Sequence, residues 1–409
     1  MKLTLPSNFF YQFLFFLAVF IPYLDIFELT ISVWVACFVV SIVRQYSFSI
    51  VKLVIPFLLI LFIAIVVMFF QDNGLYFIIR DITYLIKPVV GLFLGYQLCQ
   101  RNLNNAFQLI LKTAYLIAIY HLIVVVFSFV FFKANNVNLI REYGGYFSDY
   151  EVYALVILIF YKNFQIHFDR KKRILYTVVI GLSVFMYLAR TNFLQLLILF
   201  LGMKGYLEIN KKSIAIITSI VVLTVAGYSS ILYINPKRGG DGIEAFLYKI
   251  KVAPMETFKT KIKRDDWKDF NDNYRSYENI MTIRQVSSEG TLSVLFGKGL
   301  GSSIDLKQKV YLGDMQLRHI SILHNGFMIV FLKSGLLGIL IYFFSISYFF
   351  KRYKIHNEQA QSIRLLFIGT GVFLVLSNWV FLGFYNLIDT KTILIGFLIA
   401  YFEKNNNPN

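Results

Sequence analysis

The chain alternates between long apolar runs and short polar loops, and one long polar stretch interrupts this pattern. Each run approaches the roughly 20 residues that a helix needs to cross the hydrocarbon of a bilayer. Reading the runs against the polarity of the loops predicts about twelve membrane-spanning helices. They lie near residues 9–27, 30–43, 50–70, 75–98, 106–132, 148–166, 174–189, 191–207, 213–234, 323–349, 365–385 and 387–402.

The long polar stretch covers residues 235–322 and is called the polar segment below. It is too polar to cross a membrane and too long for an idle turn. Aromatic residues mixed among its charges predict a folded helical cap. The chain then divides into a transmembrane bundle of about nine spans over 1–234, the polar segment, and about three spans over 323–409 with a short disordered tail.

Lysine and arginine fall in alternate loops, which predicts the orientation of the chain. The loops that carry them are expected to be cytoplasmic, because cytoplasmic loops are enriched in these residues. This parity places both termini inside and the polar segment outside. The basic residues are Arg44, Lys52, Arg101, Lys112, Arg170, Lys171, Lys172, Arg173, Lys204, Lys211, Lys212, Lys351, Arg352 and Lys354.

The composition agrees with an all-α polytopic membrane protein, since 57% of the residues are hydrophobic and the mean hydropathy is +0.64. A net charge of +17 would suggest nucleic acid in a soluble chain. Here orientation and anionic membrane lipid explain the charge, so no nucleic-acid partner is expected. Cys37 and Cys99 lie in or beside apolar runs, which suits neither a disulfide framework nor a metal site.

The polar segment returns to an apolar run at Leu323-His324-Asn325-Gly326-Phe327. A histidine at this re-entry lies between water and lipid. Imidazole can accept a proton near neutral pH or donate hydrogen bonds to an anion, and both uses fit group transfer. The alternative is that His324 only begins a helix and meets a backbone carbonyl.

Arg190 separates two apolar runs at the predicted outer boundary. Thr191 or Asn192 can cap the helix that follows, which would set Arg190 beside exposed backbone N–H groups and the positive end of a helix dipole. That combination favours a phosphate. The alternative is an arginine that extends to lipid headgroups at a helix turn.

A further arginine, Arg284, precedes a compact glycine run, Gly297-Lys298-Gly299-Leu300-Gly301. Glycines permit close approach of the backbone to a ligand. A dinucleotide-binding fingerprint is a poor explanation, because the spacing differs and no βαβ unit surrounds the run. The alternative is a turn that returns the polar segment to the membrane.

Basic residues also lie in the fourth predicted span, where Arg80 and Lys87 share roughly one helix face. An ionisable group at that depth is costly, which suggests contact with a lipid-linked phosphate. The alternative is internal pairing with Asp81 or with a carboxylate on another span. Asp149 and Glu151 are expected to be solvated at the outer end of the sixth span, and no cluster has the spacing of metal ligands.

Three motifs carry a resemblance to a known family. They are Ala189-Arg190-Thr191 before an apolar helix, Arg284 followed by Phe296-Gly297-Lys298-Gly299-Leu300-Gly301-Ser302, and Leu323-His324-Asn325-Gly326-Phe327 followed by Lys333-Ser334-Gly335-Leu336-Leu337-Gly338. In this order the motifs resemble the O-antigen ligase and polymerase superfamily of bacterial surface polysaccharide assembly. The resemblance covers the twelve-span layout and about half the chain in useful detail.

The resemblance implies a GT-C-like glycosyltransferase in the bacterial cytoplasmic membrane, with its active site facing outside and with no metal or other cofactor. Its substrate would be an undecaprenyl diphosphate-linked oligosaccharide. Arg190 and Arg284 would clamp the diphosphate, and His324 would act as base or orient the acceptor. We expect Arg80, Lys87, Gly297, Gly299, Gly301 and Asn325 to bind substrate. A flippase and a chain-length regulator are the expected protein partners.

The favoured activity is that of a Wzy-type polymerase, which joins repeat units into O-antigen or capsular polysaccharide. A ligase of the same superfamily, which transfers polymer to lipid A-core, shares the clamp and stays open as an alternative. A transporter of the same lipid is a third hypothesis, motivated by basic groups in the spans. The chain departs from the family at Lys333, near which many members have an acidic residue, so the role of that acid does not transfer.

Overall fold

The computed structural model describes residues 7–101, 106–134, 136–208, 211–239, 243–253, 259–263, 266–312, 315–386 and 388–406. The helices before the polar segment are α1 (Ser7–Phe20), α2 (Phe27–Ser41), α3 (Phe48–Met68), α4 (Leu75–Gln100), α5 (Ala106–Phe131), α6 (Val137–Gly144), α7 (Asp149–Ile159), α8 (Arg170–Met186), α9 (Arg190–Met203) and α10 (Lys211–Ile234). The polar segment contains α11 (Ile243–Val252), α12 (Trp267–Asp272), α13 (Tyr274–Ser288), α14 (Thr291–Phe296), β1 (Ile304–Leu312) and β2 (Met315–Ile320). The chain then forms α15 (Gly326–Ser347), α16 (Glu358–Val380) and α17 (Lys391–Asn406).

Five helices in the described parts of the chain are long and apolar enough to cross a membrane. They are Phe48–Met68, Ala106–Phe131, Ser213–Ile234, Gly326–Phe350 and Glu358–Val380. Their length and composition indicate a helical, membrane-embedded protein. Each of the other predicted spans also has a helix, but these helices are shorter or carry more charge, so a total of twelve spans and a GT-C fold stay predictions.

Helices α4 and α17 are in backbone-to-backbone contact through small residues. A Cβ atom on Gly95 would lie 1.9 Å from the carbonyl oxygen of Ile393, and one on Gly396 would lie 2.0 Å from that of Leu92. No larger side chain fits at either glycine without separating the helices. Small residues serve the same purpose generally where helices associate in membranes.

The polar segment contains a β-hairpin that the predicted helical cap did not include. Strands β1 and β2 pair antiparallel, and Ile304 lies opposite Ile320. Arg318 Nε and Nη2 donate to the two carboxylate oxygens of Asp305 at 2.8 and 2.9 Å. This bidentate contact holds the pKa of Asp305 well below its usual range. The prediction of a purely helical cap is therefore corrected.

The C-terminal tail also differs in part from the prediction. The asparagine-rich tail, residues 405–409, was expected to be disordered, yet Asn405 and Asn406 belong to α17. The Asn406 side chain donates to the carbonyl oxygen of Lys354 at 2.8 Å and accepts from the backbone N–H of His356 at 3.0 Å. Residues 407–409 lie outside the described part of the chain.

Candidate active site

His324 lies between β2 and α15, where Asn325 caps the helix by accepting a hydrogen bond from the backbone N–H of Met328 at 3.1 Å. The Nδ1 atom of His324 is 3.0 Å from both carboxylate oxygens of Glu278 on α13. The backbone N–H of His324 donates to Glu278 Oε2 at 3.1 Å. One carboxylate therefore fixes both the ring and the main chain of His324.

This contact also decides which ring nitrogen of His324 can react. Because a carboxylate oxygen accepts hydrogen bonds, Nδ1 carries the proton that faces Glu278 and Nε2 is left to accept one. The Glu278 side chain is 1% exposed, whereas that of His324 is 43% exposed. A buried carboxylate thus orients a histidine that solvent or substrate can reach, which is the arrangement of a general base and its orienting group.

Tyr274 completes this cluster from the preceding turn of α13. It lies four residues before Glu278 and therefore on the same face of the helix. Its ring meets that of His324 edge to face, with centroids 5.7 Å apart. Burial and the neighbouring Glu278 charge raise the pKa of Tyr274, so the phenol keeps its proton at neutral pH.

Arg275 follows Tyr274 on α13 and brings a guanidinium group close to the start of α15. Its guanidinium carbon lies 5.9 Å from the centre of the Phe381 ring, and the backbone carbonyl of Phe381 accepts from the N–H of Gly326 at 2.9 Å. The Phe381 ring packs against Phe147 at 4.9 Å. Arg275 therefore lies near the N-terminal end of α15, which follows His324, and near the C-terminal end of α16.

Arg141 and Arg190 extend this positive surface. Burial lowers the pKa of the Arg141 guanidinium, and the charges of Arg190 and Arg275 lower it further, so Arg141 lies within electrostatic range of both. Arg190 Nη1 donates to the backbone carbonyl of Lys249 at 2.7 Å. The Nε atom of Arg141 is buried and has no hydrogen-bond partner in the described parts of the chain. Three guanidinium groups that repel each other favour an anion between them.

Phe147 and Phe381 line a small cavity. Thr191, Ser377 and Lys391 also line it, and its volume of about 10 Å³ is near the size needed for one water molecule. Lys391 pairs here with Asp149 at 2.7 Å and with Asp389 at 3.0 Å. Asp149 and Glu151 are both buried, so the expectation that they are solvated is wrong.

Lys87, which was expected to bind substrate, is also buried, with only 1% of the residue exposed. Its Nζ donates to the backbone carbonyls of Asn386 and Asp389 and lies 5.1 Å from the centre of the Trp34 ring. These contacts support the alternative of internal partners. Arg80 is partly exposed and donates to the hydroxyl of Ser321, which leaves it near the polar segment.

The Cβ position of each glycine in the run is blocked by neighbouring atoms. A Cβ atom on Gly297 would meet the backbone N of Ser334 at 2.5 Å, and one on Gly299 would meet that of Met68 at 2.6 Å. A Cβ on Gly301 would lie 2.7 Å from the Asn73 side chain. These contacts favour the turn that was the alternative to a ligand loop, and they fasten the polar segment to α3 and α15.

Replacing Gly299 by alanine should destabilise the protein by about 1–3 kcal/mol, because the residue has φ +72° and no room for a methyl group. Thermal unfolding of the detergent-purified protein measures this. Gly181→Ala on α8 is the matched control, since nothing lies within 4 Å of its Cβ position. Equal melting temperatures for the two variants would contradict the packing role.

Arg284 does not face the other predicted clamp residue. It follows Arg275 by nine residues on α13, which is two and a half helical turns and therefore the opposite face. It lines a separate groove with Lys259, Lys261 and Lys263. Within the described residues, Arg141 is within electrostatic range of both Arg190 and Arg275. The nine-residue spacing already indicates that Arg275 and Arg284 lie on opposite faces of a helix. Nothing in the sequence indicates the contact between Glu278 and His324.

No group of three or more histidine, cysteine, aspartate or glutamate side chains that could hold a metal ion occurs within the described residues. The chain matches no protein-family model, no curated protein and no solved structure.

Proposed function

We propose that the chain is a membrane glycosyltransferase that joins undecaprenyl diphosphate-linked oligosaccharide repeat units into O-antigen or capsular polysaccharide. A hydroxyl oxygen of the acceptor sugar attacks the anomeric carbon of the donor sugar. The bond from that carbon to the phosphate oxygen breaks, and its electron pair leaves with the lipid diphosphate. The proton of the hydroxyl goes to Nε2 of His324.

The observation that carries this proposal is the contact between Glu278 and His324 beside Arg275. A transfer of this kind needs a base for the hydroxyl proton and positive charge for the leaving group. The orientation of His324 supplies an unprotonated Nε2 on a half-exposed ring. The carboxylate of Glu278 stabilises the imidazolium that forms when the proton arrives.

The guanidinium groups of Arg141, Arg190 and Arg275 are the proposed diphosphate site. Negative charge grows on the diphosphate as the sugar leaves, and fixed guanidinium groups stabilise it through bidentate hydrogen bonds. The activated diphosphate bond supplies the free energy of the reaction, so no nucleotide is needed. The proposed location is the outer face of the bacterial cytoplasmic membrane, with a flippase and a chain-length regulator as partners.

Arg190→Ala and Arg275→Ala should each lower the transfer rate at least tenfold, because each removes charge from the leaving-group site. Arg190→Lys should recover only part of the rate, since lysine lacks the planar fork. The measurement is consumption of purified lipid-linked repeat units by the protein in detergent. Arg352→Ala, an exposed arginine in the loop between α15 and α16, is the control and should keep the wild-type rate. Near-wild-type rates for both Arg190→Ala and Arg275→Ala would refute the diphosphate site.

Deleting the gene in its native strain tests the activity itself. The surface polysaccharide is separated on a gel beside strains complemented with the wild type or with His324→Ala. Glycans limited to one repeat unit on their normal anchor are the expected result for a polymerase. Full-length polymer that stays on its lipid carrier would overturn the proposal in favour of a ligase.

A further inference from the structure

A second basic surface lies on a face of α13 next to the one that carries Tyr274 and Glu278. It is a groove between α13 and the stretch 259–263, with a volume of about 480 Å³. This volume is within the range of sites that take small organic ligands. Lys259, Lys261, Lys263 and Arg284 line it. The groove is therefore large enough for part of a sugar chain and lined mainly by one sign of charge.

Asp269 also lines the groove, where it forms a salt bridge with one of these four cations. Lys259 pairs with Asp269, whose Oδ2 also accepts from the backbone N–H of Lys263 at 2.9 Å. These hydrogen bonds lower the pKa of Asp269, so it stays ionised and bound to Lys259. Lys261, Lys263 and Arg284 are exposed. Lys263 also attracts Asp269, whereas neither Lys261 nor Arg284 pairs with a carboxylate in the described parts of the chain. The groove therefore keeps a net positive charge.

The walls of the groove indicate what kind of anion it suits. Half-buried Ile262 and Ile280 form apolar surface between the charged side chains. A sugar ring presents C–H groups to such a surface and directs carboxylate or phosphate substituents toward the cations. All described residues that line the groove belong to the polar segment and none to an apolar span. This placement favours a glycan in water over a lipid headgroup.

From this arrangement we infer that the groove binds an acidic stretch of the polysaccharide whose end reacts at His324. The inference rests on the proposed function and names its substrate class, a repeat unit that carries carboxylate or phosphate groups. Arg275 and Arg284 are about 13 Å apart along α13, so one chain extending over the helix can contact both faces. Long-range attraction from exposed cations also raises the rate at which an anionic chain is captured.

Binding of two oligosaccharides to the purified full-length protein tests this inference. The probes are an oligogalacturonate and a neutral dextran oligosaccharide of equal length. We expect the oligogalacturonate to bind the wild-type protein and to weaken as salt rises. The variant Lys261→Gln/Lys263→Gln/Arg284→Gln should bind it at least tenfold more weakly. Lys259 is kept because it holds Asp269.

A matched variant distinguishes binding in this groove from nonspecific attraction to positive charge. Lys351→Gln/Arg352→Gln/Lys354→Gln removes three exposed basic side chains from the loop between α15 and α16 and should bind like the wild type. Equal weakening in the two triple variants, or equal affinity for dextran, would overturn the inference. Loss of binding when phosphatidylcholine in a nanodisc is replaced by phosphatidylglycerol would overturn it in favour of a lipid headgroup.

The same assay keeps the two proposals apart, because binding does not require transfer. His324→Ala should bind the oligogalacturonate like the wild type. A wild-type protein that binds the probe through the groove but transfers no sugar would count against the proposed function alone. Normal transfer with unchanged oligogalacturonate binding in the groove variant would count against the groove alone.

Discussion

His324→Ala should lower the rate of sugar transfer by about 10²- to 10⁴-fold, the usual contribution of a positioned base. The variant removes the proposed proton acceptor while Asn325 still caps α15. Glu278→Gln should cost at least tenfold, because an amide can hold the ring but cannot stabilise the imidazolium as a carboxylate does. The measurement is the initial rate with purified lipid-linked repeat units, normalised to folded protein.

The double variant distinguishes a working pair from two independent side chains. If Glu278 acts only through His324, His324→Ala/Glu278→Gln should be no slower than His324→Ala, because residues that act as a unit are non-additive. His319→Ala is the control, since that histidine is exposed on β2. Additive losses in the double variant would assign Glu278 a role of its own, and an unchanged rate in His324→Ala would remove the base altogether.

The sequence pattern predicted the helical membrane class and the place where the polar segment re-enters an apolar helix. Both depend on local information, namely the length of apolar runs and a change of polarity at one point. His324 could be selected for the same reason. Its partner could not, because Glu278 precedes it by 46 residues and only the folding of α13 against the start of α15 brings them together.

The face of α13 on which each residue lies follows from the sequence, because a helix has 3.6 residues per turn. Tyr274 and Glu278 are one turn apart, and Arg275 and Arg284 are on opposite faces of the same helix. The sequence also indicates the first strand of the β-hairpin, because apolar and polar residues alternate over Ile304, Asp305, Leu306 and Lys307. Ile304 and Leu306 are buried, whereas Lys307 is exposed. Charges among the aromatic residues of the polar segment favoured a helical interpretation instead.

The glycine run and Lys333 show a different limit. Glycines that admit a ligand and glycines that admit another backbone have the same sequence, and only the position of α3 distinguishes them. In the sequence, Lys333 is a basic residue near a position where many members of the family that the chain resembles have an acidic one. In the fold it donates to Asp81 Oδ2 at 2.5 Å and to the backbone carbonyl of Ser302 at 2.5 Å. A partner 252 residues away explains a charge that no local pattern could.

Lys333→Met should therefore destabilise the protein by about 3–5 kcal/mol, the usual cost of leaving one charge of a buried pair without its partner. The side chains of Lys333 and Asp81 are 1% and 3% exposed, so solvent cannot replace the lost contact. Asp81 also accepts from the backbone N–H of Gly301 at 2.7 Å, which ties the glycine turn to α4. The loss should lower the melting temperature in detergent and the yield of monodisperse protein.

Asp81→Asn/Lys333→Met should recover most of that stability. It removes both charges together, and the asparagine oxygen can still accept from Gly301. Lys351→Met, at an exposed lysine just after α15, controls for the substitution itself and should melt like the wild type. If the double variant were as unstable as Lys333→Met, the packing of the two side chains, rather than their opposite charges, would be what stabilises the fold. A stable Lys333→Met would mean that Arg80, whose Nη2 lies 3.9 Å from Asp81 Oδ1, compensates for the lost charge.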